Sequence, residues 1–342
     1  MKNNNSLPLD YRSTLQKPID SGFTAFSTAE EVIAGIDLTG KVAIVTGGYA
    51  GIGLETVRVL HNAGAHIIVP ARDINKAMAA LKNLSRVEVR EMDLMNPDSV
   101  SSFTKDFIDS GKSLNILVNS AGIMASPLMR DSRGYEAQFS TNHLGHFQLT
   151  LQLWSALVKS KDARVVSVSL WGHRQSAIDF DDPNFERRDY NRMLAYGQSK
   201  TANILFAVAL DWRGKNDNIR AFSLHPGGIV STDLKRYFTT EELELAGMID
   251  KEGKPILDPE RSLKTIAQGA ATSVWCATNP VLNGMGGVYC ENSNIAPLVP
   301  SDALVNQKIG SLPLGVMPYA IGEESAEKLW ELSEKLTGVV FN

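Results

Sequence analysis

Apolar positions along the chain fall into short runs that alternate with longer stretches in which they recur every three or four residues. "KVAIVT", starting at Lys41, is β-branched, almost wholly apolar and followed by glycine, the pattern of a strand buried on both faces. "GIGLETVRVLHNAG" follows with helical spacing and a stop at Gly64. The alternation then repeats through strand "HIIVPA", a helix around "NKAMAALKNL", strand "RVEVREMD", helix "PDSVSSFTKDFID" and strand "LNILVNSAG". One long helix is expected through "YEAQFSTNHLGHFQLTLQLWSALV". After it come strand "RVVSVSL" running into the loop "WGHRQS", helix "MLAYGQSKTANILFAVALDWRG" and strand "IRAFSLHPG".

Buried strands separated by helices predict an α/β fold with one doubly wound parallel sheet flanked by helices. Right-handed crossovers put the ligand crevice at the C-terminal ends of the strands. The domain is expected over residues 37–290. Residues 1–36 are polar without a period and predict an extension that is partly ordered at best. Residues 229–262 break the rhythm, and an irregular loop of that length predicts a substrate lid. Residues 291–342 read as a Pro- and Gly-rich tail with a terminal helix, "EESAEKLWELSEKLTG", in which Ala326, Leu329, Trp330 and Leu336 could cover a domain surface.

Composition adds exclusions. With 342 residues, 43% hydrophobic, and a formal net charge of −4, the chain has no polyelectrolyte character, so neither nucleic acid nor an anionic membrane is an expected partner. Cys276 and Cys290 predict buried thiols of a reducing compartment. The first residues carry no signal-peptide core and no run reaches the ~18 apolar residues of a membrane span, so a cytoplasmic protein without an anchor is expected. His143 and His146 share a helix face without a third ligand, which predicts packing roles and no metal site. Trp154, Trp275 and Trp330 read as core or interface anchors, and "DFDDP" from Asp179 as a solvated loop.

Three features carry chemistry. "VTGGYAGIG", Val45 to Gly53, joins a strand to a helix, where glycines let backbone amides approach a pyrophosphate beside the helix N-terminus. The second strand ends "VPARD": Ala71 stands where an acid would bind a ribose hydroxyl, and Arg72 suits a 2′-phosphate, so NADP is favoured over NAD. Asp73 is read as the cap of the next helix rather than a ribose contact. In "AYGQSK", Tyr196 and Lys200 stand four apart on one helix face, where the ammonium is expected to lower the phenol pKa and make Tyr196 an acid/base.

"TGGYAGIG", "NSAG" at Asn119–Gly122, Asn142 in "TNHLGHF", "YGQSK" and "HPG" occur in that order, and over roughly residues 38–290 the chain resembles the short-chain dehydrogenase/reductases. "PARD" and "AYGQSKTANILFA" are similar to the branch holding retinol dehydrogenases and WW-domain oxidoreductases. The resemblance implies a Rossmann-type fold and NAD(P)-dependent exchange of hydride with an alcohol, aldehyde or ketone. It further implies that Thr46, Gly47, Tyr49, Gly51, Ile52 and Gly53 line the pyrophosphate turn, that Asp93 and Leu94 meet the adenine, and that Asn119, Ala121 and Gly122 close over the adenosine ribose. Pro226, Gly227, Ile229 and Ser231 would meet the nicotinamide, Lys200 its ribose, and Asn142 a water in the proton relay. Relatives of this kind are often dimers or tetramers through helix packing, so a homodimer or homotetramer is expected unless the unusual tail blocks it.

One position departs from the pattern. The family's fifth strand ends in paired serines, the second orienting the substrate carbonyl; here Ser169 matches the first and Leu170 replaces the second. Successive strand residues face opposite ways, so Ser169 cannot substitute without a bulge. Either Ser169, Ser167 or a loop residue such as His173 supplies the bond, or Leu170 is an inactivating change, natural or engineered, or the chemistry is altered. Leu170 and Trp171, with Met124 and Phe238, predict an apolar pocket in which His173 is a further substrate contact. The alternative to an NADP-preferring oxidoreductase is a dinucleotide-binding protein with impaired catalysis.

Overall fold

The computed structural model describes residues 14–300 and 315–341. Residues 1–13 of the expected extension and 301–314 of the expected tail lie outside the described residues. Helix α1 (Ala29–Ile33) precedes β1 (Val42–Val45), α2 (Gly51–Asn62), β2 (His66–Ala71), α3 (Ile74–Leu81), β3 (Val87–Glu91), α4 (Pro97–Asp109) and β4 (Ile116–Asn119). Next come α5 (Ala137–Phe139), a π-helical turn (Ser140–Leu144), α6 (Gly145–Gln152), α7 (Trp154–Ser160) and β5 (Ala163–Val168). A 3-10 turn (Trp171–Gln175) leads to α8 (Arg192–Gly214), β6 (Ile219–His225), α9 (Thr240–Leu245), α10 (Ile266–Thr278), β7 (Val288–Glu291), β8 (Asn294–Ile295) and α11 (Glu323–Thr337).

The strands form one sheet in the order β3-β2-β1-β4-β5-β6-β7-β8, parallel except for the last pair. Alternate residues explain both cores. Ile44, Ile68, Leu117 and Val165 face α4 to α8 and α11, while Ala43, Val45, Ile67, Val118 and Val166 face α1, α2 and α10. The order reverses beside β1 and β4, so the crevice opens at their C-terminal ends. No helix among the described residues is long and apolar enough to cross a membrane.

One local expectation is corrected, and two features go beyond the sequence reading. The single helix expected from Tyr135 to Val158 is broken, because Asn142 sits in a π turn and Leu153 leaves helical geometry at φ −92°, ψ 4°. β7 and β8 had no reading, their four and two residues being too short to show a period. In the segment before residue 36, Gln16 Nε2 donates to Tyr289 O (2.8 Å) and Ala296 O (2.6 Å), and its Oε1 accepts from Tyr289 N (2.9 Å). A buried side chain thus satisfies backbone groups of β7 and of the residue after β8. Gln16→Ala is expected to lower stability by about 1–3 kcal/mol, since it strands Tyr289 N and Ala296 O, while Tyr289 O keeps Ala296 N; an unmoved denaturant midpoint would show that the segment is dispensable.

α11 packs as its apolar positions imply. Trp330 meets Phe147 edge-on at 5.0 Å and Phe206 at 6.0 Å, and the Arg213 guanidinium lies 4.1 Å from its ring centroid while pairing with Glu327 at 2.8 Å. Cys276 and Cys290 are both buried and free.

Candidate active site

A cleft of about 720 Å³ runs along the C-terminal ends of β1, β2, β4, β5 and β6. One end is built by the glycine turn. Gly47 and Gly51 have φ +66° and +51°, and a Cβ on Gly53 would stand 2.3 Å from Gly47 O, so the turn closes only without side chains there. Ala50 gives α2 no side-chain cap and its first turn has no acidic residue, leaving amides and positive end facing the cleft, with Tyr49 and Ile52 beside them. These residues fit a dinucleotide pyrophosphate.

Thr46 braces the turn. Its hydroxyl accepts from Ser120 N (2.9 Å) and Ala121 N (3.0 Å). It lies 2.9 Å from His146 Nε2, and His146 Nδ1 lies 3.0 Å from Asn142 O. The carbonyl must accept, so Nδ1 carries the ring proton and Nε2 takes the threonine proton. Burial lowers His146 to about 4, which keeps the ring neutral. His143 instead reaches Ser333 on α11 at 2.7 Å.

At the end of β2 the exposed Arg72 lines the cleft, and Asp73 accepts from Lys76 N at 2.9 Å as the cap of α3. Lys76 also lines it and pairs with Asp233 of the 229–262 segment at 3.0 Å. Asp93 and Leu94 lie along the same wall, as do Ala121 and Gly122. Asn119 does not line it: it is buried, with its amide on Thr150 (3.3 Å). Asn142 also lies behind the wall, accepting from Ile123 N (2.9 Å) and donating to Ile123 O (3.0 Å) and Ser199 Oγ (2.9 Å). It holds the 120–124 loop against α8.

Tyr196 and Lys200 stand one turn apart on α8, both buried and both lining the other end. Lys200 Nζ donates to Val168 O at 3.0 Å and lies 5.6 Å from the Tyr196 ring centroid. Burial pushes Tyr196 above the ordinary phenol range and Lys200 down to about 7. This corrects the expected direction for the phenol: desolvation of a buried hydroxyl outweighs the neighbouring amine, whose donor is turned to a carbonyl.

Ser169 lines the cleft, but its hydroxyl donates to Lys200 O at 2.8 Å. Ser167 is buried in β5 and does not line it. Leu170 and Trp171 do, whereas His173 does not. Met317 N donates to His173 Nε2 (3.3 Å), leaving the proton on Nδ1, which donates to Leu170 O (2.9 Å); burial lowers this ring to about 3. The imidazole is spent on fixing the turn that carries Leu170, so the substrate contact expected of it is not made.

Pro226, Gly227 and Ile229 line the cleft. Ser231 is exposed and lines a separate shallow depression with Glu55 and Pro255. Its neighbour Thr232 faces the cleft instead, with Cγ2 2.9 Å from where a Gly51 Cβ would be. The rest of 229–262 supplies outer wall: Val230, Leu243 and Ile249 form a small core joined by Phe238 and Met248. "DFDDP" is corrected in part: Asp182 is buried and accepts from the amides of Glu186, Arg187 and Arg188 at 2.8–3.1 Å, organising the loop before α8. Lys76, Gln175, Met193 and Thr232 are lining residues that sequence reasoning missed. Met193 was findable, being one turn before Tyr196 on its helix.

The short chain dehydrogenase family model matches residues 41–180. A probable oxidoreductase of Streptomyces lividans is 41% identical, over 86% of this chain and 97% of its own length. Human retinol dehydrogenase 12 is 33% identical, over 89% and 88%. A crystal structure of an uncharacterized protein from Mycobacterium paratuberculosis superposes with a TM-score of 0.68 at 30% identity, covering 94% of this chain and 99% of that one.

Proposed function

This chain belongs to the short-chain dehydrogenase/reductase family of oxidoreductases, and on that premise we propose that it reduces the carbonyl of an apolar aldehyde or ketone with NADPH. The observation carrying the proposal is one cleft that joins an uncapped helix N-terminus and glycine turn to a buried Tyr196–Lys200 pair. The nicotinamide group supplies the hydride when bound. Amides of residues 47–53 hold its phosphates, and the bracing of Thr46 by His146 keeps them aimed.

Tyr196 is the proton donor. A phenol held above its ordinary pKa stays protonated at neutral pH, which suits it to give its proton to an oxygen that gains charge during reduction. Lys200, near neutrality in its tendency to ionise, completes the polar floor. Leu170, Trp171, Met124, Met193, Phe238 and Met248 exclude water and favour an apolar substrate body.

The preference for NADPH rests on Arg72 and on Ala71, which offers no carboxylate to a ribose; Lys76 adds a second cation. Arg72→Glu is expected to weaken NADPH relative to NADH by about 10- to 100-fold, the equivalent of one charge-assisted hydrogen bond of roughly 1.5–3 kcal/mol. Fluorescence titration with both cofactors measures it; an unchanged ratio removes Arg72 from the site. Turnover of NADPH with a panel of aliphatic and aromatic aldehydes and ketones tests the reaction itself. A second reading, cofactor binding with weak catalysis, is favoured by one observation: Leu170 puts an apolar side chain where the family places a hydroxyl.

A further inference from the structure

We propose that the carboxamide of Gln175 takes the place of the missing hydroxyl at position 170, its Nε2–H donating to the substrate oxygen; this rests on the carbonyl-reductase reading above. Leu170 is the residue before a 3-10 turn, Trp171–Gln175, and Gln175 closes that turn. In a 3-10 helix residues three apart eclipse one another, so Gly172 and Gln175 stand on one face. That face meets the phenol. A Cβ on Gly172 would stand 3.2 Å from Tyr196 Cε1, and Gln175 Cβ lies 3.2 Å from where a Cβ on Gly197, next to Tyr196, would be.

Gln175 is half-buried and lines the cleft, and its carboxamide makes no hydrogen bond among the described residues. The rival groups near Tyr196 are committed or shut away. Ser169 has given its proton to Lys200 O, His173 has placed its proton on Leu170 O and its lone pair on Met317 N, and the Thr141 hydroxyl is inaccessible. The turn is also rigid enough to aim a longer side chain. Thr201 on α8 donates to His173 O (3.1 Å) and Ser176 O (2.6 Å), and Tyr319 donates to His173 O (2.6 Å). A carboxamide reaches further than a serine hydroxyl, so it can stand five residues later in the chain and serve the same oxygen.

Four proteins decide the matter: the parent, Gln175→Leu, Leu170→Ser, and the double variant, each titrated with NADPH and assayed on the aldehyde and ketone panel. Gln175→Leu is expected to lower kcat/KM by about 10²–10³-fold, the loss typical of one such donor, with NADPH affinity unchanged. Leu170→Ser is expected to restore turnover in the Gln175→Leu background. As a readout apart from turnover, the infrared carbonyl stretch of benzaldehyde bound with NADP+ is expected at lower frequency in the parent than in Gln175→Leu. A parent that turns over equally well as Gln175→Leu, or a carbonyl band unmoved between them, overturns the assignment of Gln175. A parent inactive on the whole panel beside an active Leu170→Ser overturns it too, while keeping the family chemistry; inactivity of both sinks the carbonyl-reductase reading itself.

Discussion

Tyr196→Phe is expected to lower the rate of NADPH-dependent carbonyl reduction by about 10²- to 10⁴-fold, the contribution of one positioned proton donor. The substitution removes only a hydroxyl. The ring stays beside Gly172, and the Tyr196 hydroxyl makes no hydrogen bond with another described residue that its loss would orphan, so stability is expected to hold. NADPH affinity is expected to hold as well, because the glycine turn and Arg72 lie at the other end of the cleft. A fall in kcat with unchanged cofactor binding identifies the phenol as the proton source. Equal turnover by the two proteins would remove Tyr196 from the chemistry and leave the cleft a binding site.

Gly53→Ala is expected to act at the opposite end of the cleft and on cofactor binding instead of on the chemical step. The new methyl would lie 2.3 Å from a backbone oxygen, Gly47 O, which has no flexible side chain to yield. The turn or α2 must shift, at about 1–3 kcal/mol for overpacking of this kind, and the amides facing the cleft shift with it. The dissociation constant for NADPH is expected to rise about tenfold or more, since each 1.4 kcal/mol lost from binding is a factor of ten. Fluorescence titration reads the affinity, and a circular-dichroism melt separates loss of binding from loss of fold. Native affinity in a folded Gly53→Ala protein would mean that the turn does not cradle the cofactor.

What the sequence by itself determined is what neighbours along the chain can express. Runs of β-branched residues followed by helical spacing gave six of the sheet's strands and the helices between them. The glycine turn sits at the β1–α2 junction because its residues are consecutive, and Tyr196 meets Lys200 on one face because four positions are about one helical turn. The tertiary structure decided which way loop and strand-end side chains point. Met317, 144 positions along the chain from His173, takes that ring's lone pair and draws it out of the cleft. Thr232 rather than Ser231 faces the glycine turn because Gly51 leaves it room. Gln16 reaches Tyr289 on β7, 273 residues away, which no local period could reveal. Orientation is fixed by such distant hydrogen-bond partners and by the space they leave, so the place of Gln175 in the wall of the cleft beside α8 became legible only once the 3-10 turn had been packed against that helix.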